Sequence, residues 1–114
     1  MNDKAYIPKK WGRNVDRSNT IEVKNILCAV QDHFGITQDD LMLKSKKLKI
    51  VYPRQVCAWL LNKYSVHGAN GIAILLGFTC HQSATAAIKA INNYMDTDEN
   101  VREQIFQLER ILKP

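Results

Sequence analysis

Apolar residues in this chain return every three or four positions, and Gly, Pro and capping residues break the returns at short intervals. A chain patterned this way buries its apolar surface as a set of short helices. From Thr20, the residues Ile21, Ile26, Leu27, Val30 and Phe34 form one stripe, and Gly35 supplies the stop expected at a helix C-terminus. Thr37 followed by Asp39 and Asp40 predicts a second, capped helix to about Met42 or Leu43, with the acids where the helix dipole favours them. Pro53 fits the first turn of a third helix, whose apolar face is Val56, Cys57, Leu60, Leu61 and Tyr64. Residues 68–77 suit one short apolar helix ended by a turn at Gly77. Thr79-Cys80-His81-Gln82 fits the capping box, so a further helix is predicted to start at Cys80. Its buried stripe is Ala84, Ala87, Ile88, Ile91 and Tyr94 or Met95, which leaves His81, Gln82, Thr85, Lys89 and Asn92 facing out. Asp96-x-x-Glu99 is predicted to cap a last helix with Val101, Ile105, Leu108 and Ile111 or Leu112 inward. The alternation around Leu48, Ile50 and Tyr52 is too short and too charged for a strand. The expected fold is all-α, with about six helices over residues 20–114.

A length of 114 residues suits one domain with a modest core that needs no metal or disulfide staple. Residues 1–19 have few regularly spaced apolar positions and are expected to form a basic arm. Lys4, Lys9, Lys10, Arg13 and Arg17 suit either a solubilising tail or a segment that tracks phosphates.

The charge is unevenly spread. The chain has 16 Lys+Arg against 11 Asp+Glu, a net +5, and residues 44–54 hold Lys44, Lys46, Lys47, Lys49 and Arg54 with no acid. Positive charge concentrated on a small domain is the footprint of a polyanion partner, set against the plainer reading of a solvated loop.

Other chemistries find less support. The three cysteines, Cys28, Cys57 and Cys80, are widely spaced with no Cys-x-x-Cys pair, and Cys28 and Cys57 are expected to be buried thiols. Cys80-His81, with His33 and His67, does not have the spacing of a zinc site. Adjacent residues on a helix project about 100° apart, so Cys80 and His81 make a poor nucleophile and base pair. No Gly-x-x-x-x-Gly-Lys-Ser/Thr loop is present, so no nucleotide is expected. No apolar run approaches the roughly 20 residues of a membrane span, and the polar start lacks a signal-peptide core. The expectation is a cytoplasmic, non-enzymatic protein without cofactors or metal.

A short helix, a turn at Gly77 and a helix with polar residues at its start make a helix-turn-helix pattern. In that geometry the second helix enters the major groove N-terminus first. Here it would present Thr79, His81, Gln82, Ser83 and Thr85; Gln pairs bidentately with adenine, and His or Ser can donate or accept.

In their order and spacing, the pieces Val30-x-x-x-Phe34-Gly35-Ile36, Asp40-Leu41, the basic run from Lys44, and Pro53-Arg54-Gln55 resemble a known family. Leu60-Leu61, Ile72, Gly77, His81 and Ile91 continue the match. The chain is similar, over roughly residues 20–112, to the C-terminal DNA-binding domain of the bacterial replication initiator DnaA. The resemblance implies a Trp-repressor-like helical bundle that binds a short double-stranded DNA box. It implies that Lys46 stands where the family has a minor-groove arginine. It also implies that Arg54 and Gln55 hold phosphate, that His81 keeps its place in the recognition helix, and that Asn70 replaces a groove-contacting proline.

This chain departs from the family's recognition helix, which opens Arg-Asp-His-Ser/Thr-Thr. Thr79 removes a charge, Cys80 is a weak acceptor where Asp takes a cytosine hydrogen bond, and Gln82 adds a different reader. Lys46 lacks the planar fork of arginine, and Gly71 stands in place of a glutamate. The expected function is therefore double-stranded DNA binding with a changed or relaxed target, in replication initiation, its regulation, or transcription. The rival is a protein-interaction module that docks a replication initiator or another acidic partner through the basic loop.

Overall fold

The computed structural model describes residues 21–42 and 48–113, and over them the chain forms six helices and no strand. They are α1 (Val23–Phe34), α2 (Gln38–Met42), α3 (Leu48–Tyr64), α4 (Ala69–Leu76), α5 (His81–Thr97) and α6 (Glu99–Leu112). The predicted arm, residues 1–19, and the basic residues Lys44, Lys46 and Lys47 lie outside the described residues.

The first two helices form by local rules. α1 buries Ile26, Leu27, Ala29 and Val30, and Gly35 ends it in the left-handed region at φ 66°. Cys28 falls on the opposite side of this stripe and is exposed, not buried as the sequence suggested. Thr37 and Asp40 cap α2 reciprocally: the Asp40 N–H donates to Thr37 Oγ1 and the Thr37 N–H to Asp40 Oδ2, each at 3.1 Å.

α3 is the central element, packed against α1, α2, α4 and α5. Val56, Cys57, Ala58, Leu60 and Leu61 are fully buried, and burial pushes the Cys57 thiol up to about 12. The helix starts at Leu48, five residues before the start expected at Pro53. Pro53 is the sixth residue of α3, past the first-turn position expected for it, and its missing N–H gives up the bond to the Lys49 carbonyl. Tertiary contacts hold the early turns: Ile50 is buried, and Tyr52 Oη donates to Gln104 Oε1 on α6 at 2.6 Å.

Arg54 is a structural tie. It is buried at 6% exposure; its Nε donates to the Leu41 carbonyl at 2.7 Å and its Nη2 to the Asp40 carbonyl at 3.2 Å. A cation on the last carbonyls of α2 satisfies acceptors that the helix end leaves orphaned. Burial lowers the Arg54 pKa from its ordinary value.

α5 and α6 start one and two residues later than the sequence suggested. Cys80, not Thr79, is the N-cap of α5 and makes no side-chain cap bond, so the predicted capping box does not form. Asp98, not Asp96, caps α6, accepting from the Asn100 N–H at 2.9 Å, while Asp96 lies in the last turn of α5. Val101, Ile105 and Leu108 face the core as expected, and Ile111 is exposed. At the far end of α6, Glu109 accepts from Lys63 at 2.7 Å and from the Tyr64 hydroxyl, which fastens α6 to the end of α3. No single helix among the described residues is long and apolar enough to cross a membrane.

Candidate nucleic-acid interface

α4 and α5 meet at 96°, the angle of a helix-turn-helix. Two backbone features set the corner. Gly77 adopts φ 74°, a conformation that L side chains rarely take, and the Phe78 N–H returns to the Ala73 carbonyl at 2.9 Å. The turn also lies against α2, where a Cβ built on Gly77 would sit 2.4 Å from the Met42 carbonyl oxygen. Arg54 grips the two carbonyls immediately before Met42. A continuous path therefore runs from α3 through Arg54 and the end of α2 to the turn, and it sets where α5 points. Ala84, Ala87 and Ile91 bury the inner face of α5, and Trp59 Nε1 on α3 donates to Asn92 Oδ1 at 2.8 Å.

The start of α5 is open. Thr79, Cys80, His81 and Gln82 are exposed, and Ser83 and Thr85 are half-buried. No side chain caps the start of α5, and the Ser83 N–H returns to the Cys80 carbonyl at 3.1 Å; the positive end of a helix attracts anions. The Cys80 thiol responds to it: the Ser83 N–H, the Ser83 hydroxyl and the Gln82 N–H draw its pKa below the ordinary value, against a small opposing desolvation. Thr85 donates its hydroxyl to the His81 carbonyl at 3.1 Å, so it offers only its lone pairs outward.

Of the residues singled out from sequence, Thr79, His81, Gln82, Ser83 and Thr85 are together on the first turns of α5 and the residues leading into it. Asn70 is exposed in the first turn of α4. Gln55 is half-buried beside Arg54 on α3, and Lys49 lies in the first turn of α3. Arg54, expected on phosphate, instead points its donors inward.

Two surface features were not in the sequence-based set. Ala86 and Asn93 are exposed four and eleven residues after Gln82 and, with Lys89, which was expected to face out, they continue its face along α5. The spacing alone was enough to find them. Ile74, on α4 one turn beyond Asn70, is 80% exposed. Asn92, by contrast, faces out as expected but is engaged by the Trp59 indole. Among the described residues, no group of three or more His, Cys, Asp or Glu is placed to hold a metal ion.

Comparison with known proteins agrees with this geometry. The family described as "Bacterial dnaA protein helix-turn-helix" matches residues 23–92. The "Chromosomal replication initiator protein DnaA" of Lacticaseibacillus casei (strain BL23) is 34% identical over 98 residues, covering 86% of this chain and 22% of that protein. The protein of the same name from Bdellovibrio bacteriovorus is 27% identical over 95 residues, covering 83% of this chain and 20% of its own. That from Bacteroides thetaiotaomicron is 22% identical over 98 residues, covering 86% and 21%. The chain thus spans about a fifth of the length of the relatives it matches. It belongs to the bacterial DnaA helix-turn-helix family.

Proposed function

We propose that this member of the bacterial DnaA helix-turn-helix family binds double-stranded DNA, with the start of α5 in the major groove. The role would lie in replication initiation, its regulation, or transcription control. The observation that carries the reading is the α4–α5 corner of 96°, which presents an uncapped helix start bearing exposed His81 and Gln82.

The binding has two layers. Lys44, Lys46, Lys47 and Lys49 neutralise phosphates and position the domain, and Gln55 adds a polar contact. Arg54 serves this layer indirectly, by holding α2 and the turn. His81, Gln82, Ser83 and Thr85 read base edges, with Gln82 suited to adenine N6 and N7. Thr79 and Asn70 flank them, and Lys89 extends the phosphate layer along α5. Because Thr79 and Cys80 stand where the family pattern has Arg and Asp, the target is a changed or relaxed version of the family's box. Selection of bound sites from random duplexes checks this, and enrichment of the unaltered box refutes it.

Fluorescence anisotropy with a labelled random-sequence duplex, at low and physiological salt, tests the proposal itself. Salt-steep binding is expected. No binding at low salt would overturn it. The exposed Ile74 on the outer side of α4 would then favour the second reading, a protein-docking module.

A further inference from the structure

We propose that this chain pairs with a second copy of itself through α6, antiparallel about a twofold axis at Phe106. Phe106 is 49% exposed, although Val101, Ile105 and Leu108 of the same helix are buried. It lines two open grooves. One, of about 600 Å³, runs back past Glu103 to Glu99, and the other, of about 280 Å³, runs forward past Glu109 and Arg110. A large ring left half in water between two grooves is a seat for another ring.

The charges around Phe106 select the partner. Arg102 and Glu103 stand four and three residues before it, and Glu109 and Arg110 three and four after it. On a helix of 3.6 residues per turn, Glu103 and Arg110 fall about 60° and 40° to one side of Phe106, and Arg102 and Glu109 about 40° and 60° to the other. An antiparallel twofold brings like sides together and reverses the order along the axis. Glu103 then meets Arg110 of the second copy at heights about 1.5 Å apart, and Arg102 meets Glu109 of the second copy in the same way. Symmetry repeats both contacts, so pairs of opposite charge flank the two rings on each side. Among the described residues, neither Glu103 nor Arg110 is in an ion pair of its own chain. Glu109 takes the bonds of Lys63 and Tyr64 on Oε2 alone, which leaves Oε1 to accept from Arg102. A parallel pair would set Glu99 against Glu99 of the second copy and align the two helix dipoles, and the antiparallel pair avoids both. α5 ends beside the start of α6, so its first turn lies about 24 Å up the helix and stays open. On the DNA-binding reading above, such a pair takes two sites at once; the self-association itself does not rest on that reading. The contact runs along helices of 14 residues, about 21 Å long, and falls below the roughly 1,200 Å² of a stable complex. Pairing is therefore expected on the order of hundreds of micromolar, and it weakens with salt.

Sedimentation equilibrium of the full chain tests this, without DNA, at low salt and at chain concentrations from about 10 µM to about 1 mM. A monomer–dimer equilibrium is expected, and Phe106→Asp should stay monomeric throughout. Glu103→Arg alone and Arg110→Glu alone should each weaken the dimer about tenfold. The two together should restore it, because the reversed charges again meet their opposites across the twofold. A parallel pair would not be rescued, since there Glu103 faces Arg102 and Arg110 faces Glu109. Far-UV dichroism checks that each variant stays folded; were Phe106→Asp to unfold, the charge reversals decide. A monomer at every concentration would overturn the proposal and leave the face to a different partner. Association that none of the substitutions weakens would overturn it and assign the contact to another surface. Weakening by the single reversals without rescue by the double would overturn the antiparallel arrangement.

Discussion

Gly77→Ala probes the device that aims the proposed reading helix, and its cost can be built from two parts. The first is conformational: an alanine held at φ 74° pays about 1–2 kcal/mol for the left-handed region. The second is steric. The added Cβ would lie 2.4 Å from the Met42 carbonyl oxygen, so turn and α2 must separate by about 1 Å, a rearrangement of the overpacking kind that costs about 1–3 kcal/mol. Gly35→Ala is the internal control. It has φ 66° and nothing within 4 Å of an added Cβ, so it carries the first part alone. Urea denaturation measures both variants; the midpoints should differ at a common slope, with Gly77→Ala the less stable by about 1–3 kcal/mol. DNA affinity adds a second readout, because only Gly77→Ala re-aims α5 relative to α3. Equal losses in stability for the two variants would refute the argument that the turn is locked against α2.

The other predictions concern binding, the buried cation and pH. His81→Ala with Gln82→Ala should cost about 1–3 kcal/mol per lost base contact and flatten the discrimination between duplex sequences; unchanged discrimination in competition binding would remove both from the reading set. With about four to six phosphates neutralised, the logarithm of the binding constant should fall against the logarithm of salt with a slope near −4 to −5, and a flat response would refute the phosphate layer. Arg54→Met should destabilise the fold by about 1.5–3 kcal/mol through the loss of hydrogen bonds to the Leu41 and Asp40 carbonyls, and a urea midpoint like that of the wild type would refute the tie. Folding raises the Cys57 pKa from its ordinary 9.0 to about 12, so its contribution is present below pH 9 and is lost as pH rises from 9 through 12. That amounts to about 4 kcal/mol, and the raised pKa values of Tyr52 and Tyr64 act in the same direction. Urea midpoints taken upward from neutral pH should fall more steeply for the native chain than for Cys57→Ala, and parallel curves would refute the assignment.

What could be read from the sequence was governed by local rules. Gly35, Thr37 and Gly77 mark helix ends because a left-handed backbone or a cap needs only neighbours in sequence, and α1, α2 and α4 end where those residues say. The start of α3 escaped the same rules. Pro53 is a good first-turn residue locally, but burial of Ile50 and the Tyr52–Gln104 bond hold five residues of helix ahead of it, and those partners lie across the fold. Arg54 and Asn92 show the limit at the site. A cation beside a basic run reads as a phosphate contact, yet the partners of Arg54 are backbone carbonyls 13 and 14 residues upstream, and Asn92, expected only to face out, is engaged by an indole 33 residues away. The cluster at the start of α5 was legible because helix position alone exposes it.

The contrast between aiming and reading explains how such a domain can change its target without losing its fold. The corner is held by backbone and by residues with inward partners: Gly77 against Met42, Arg54 on α2, Ala84, Ala87 and Ile91 in the core. None of these contacts runs through the exposed side chains of Thr79, His81 or Gln82. Replacing a reading residue therefore costs little folding free energy, whereas replacing an aiming residue strains the turn or strands buried carbonyls. Sequence drift at Thr79 and Cys80 is then the change that this architecture tolerates best. On the proposed DNA-binding function, such a change would alter which base edges are satisfied and leave the proposed phosphate contacts in place.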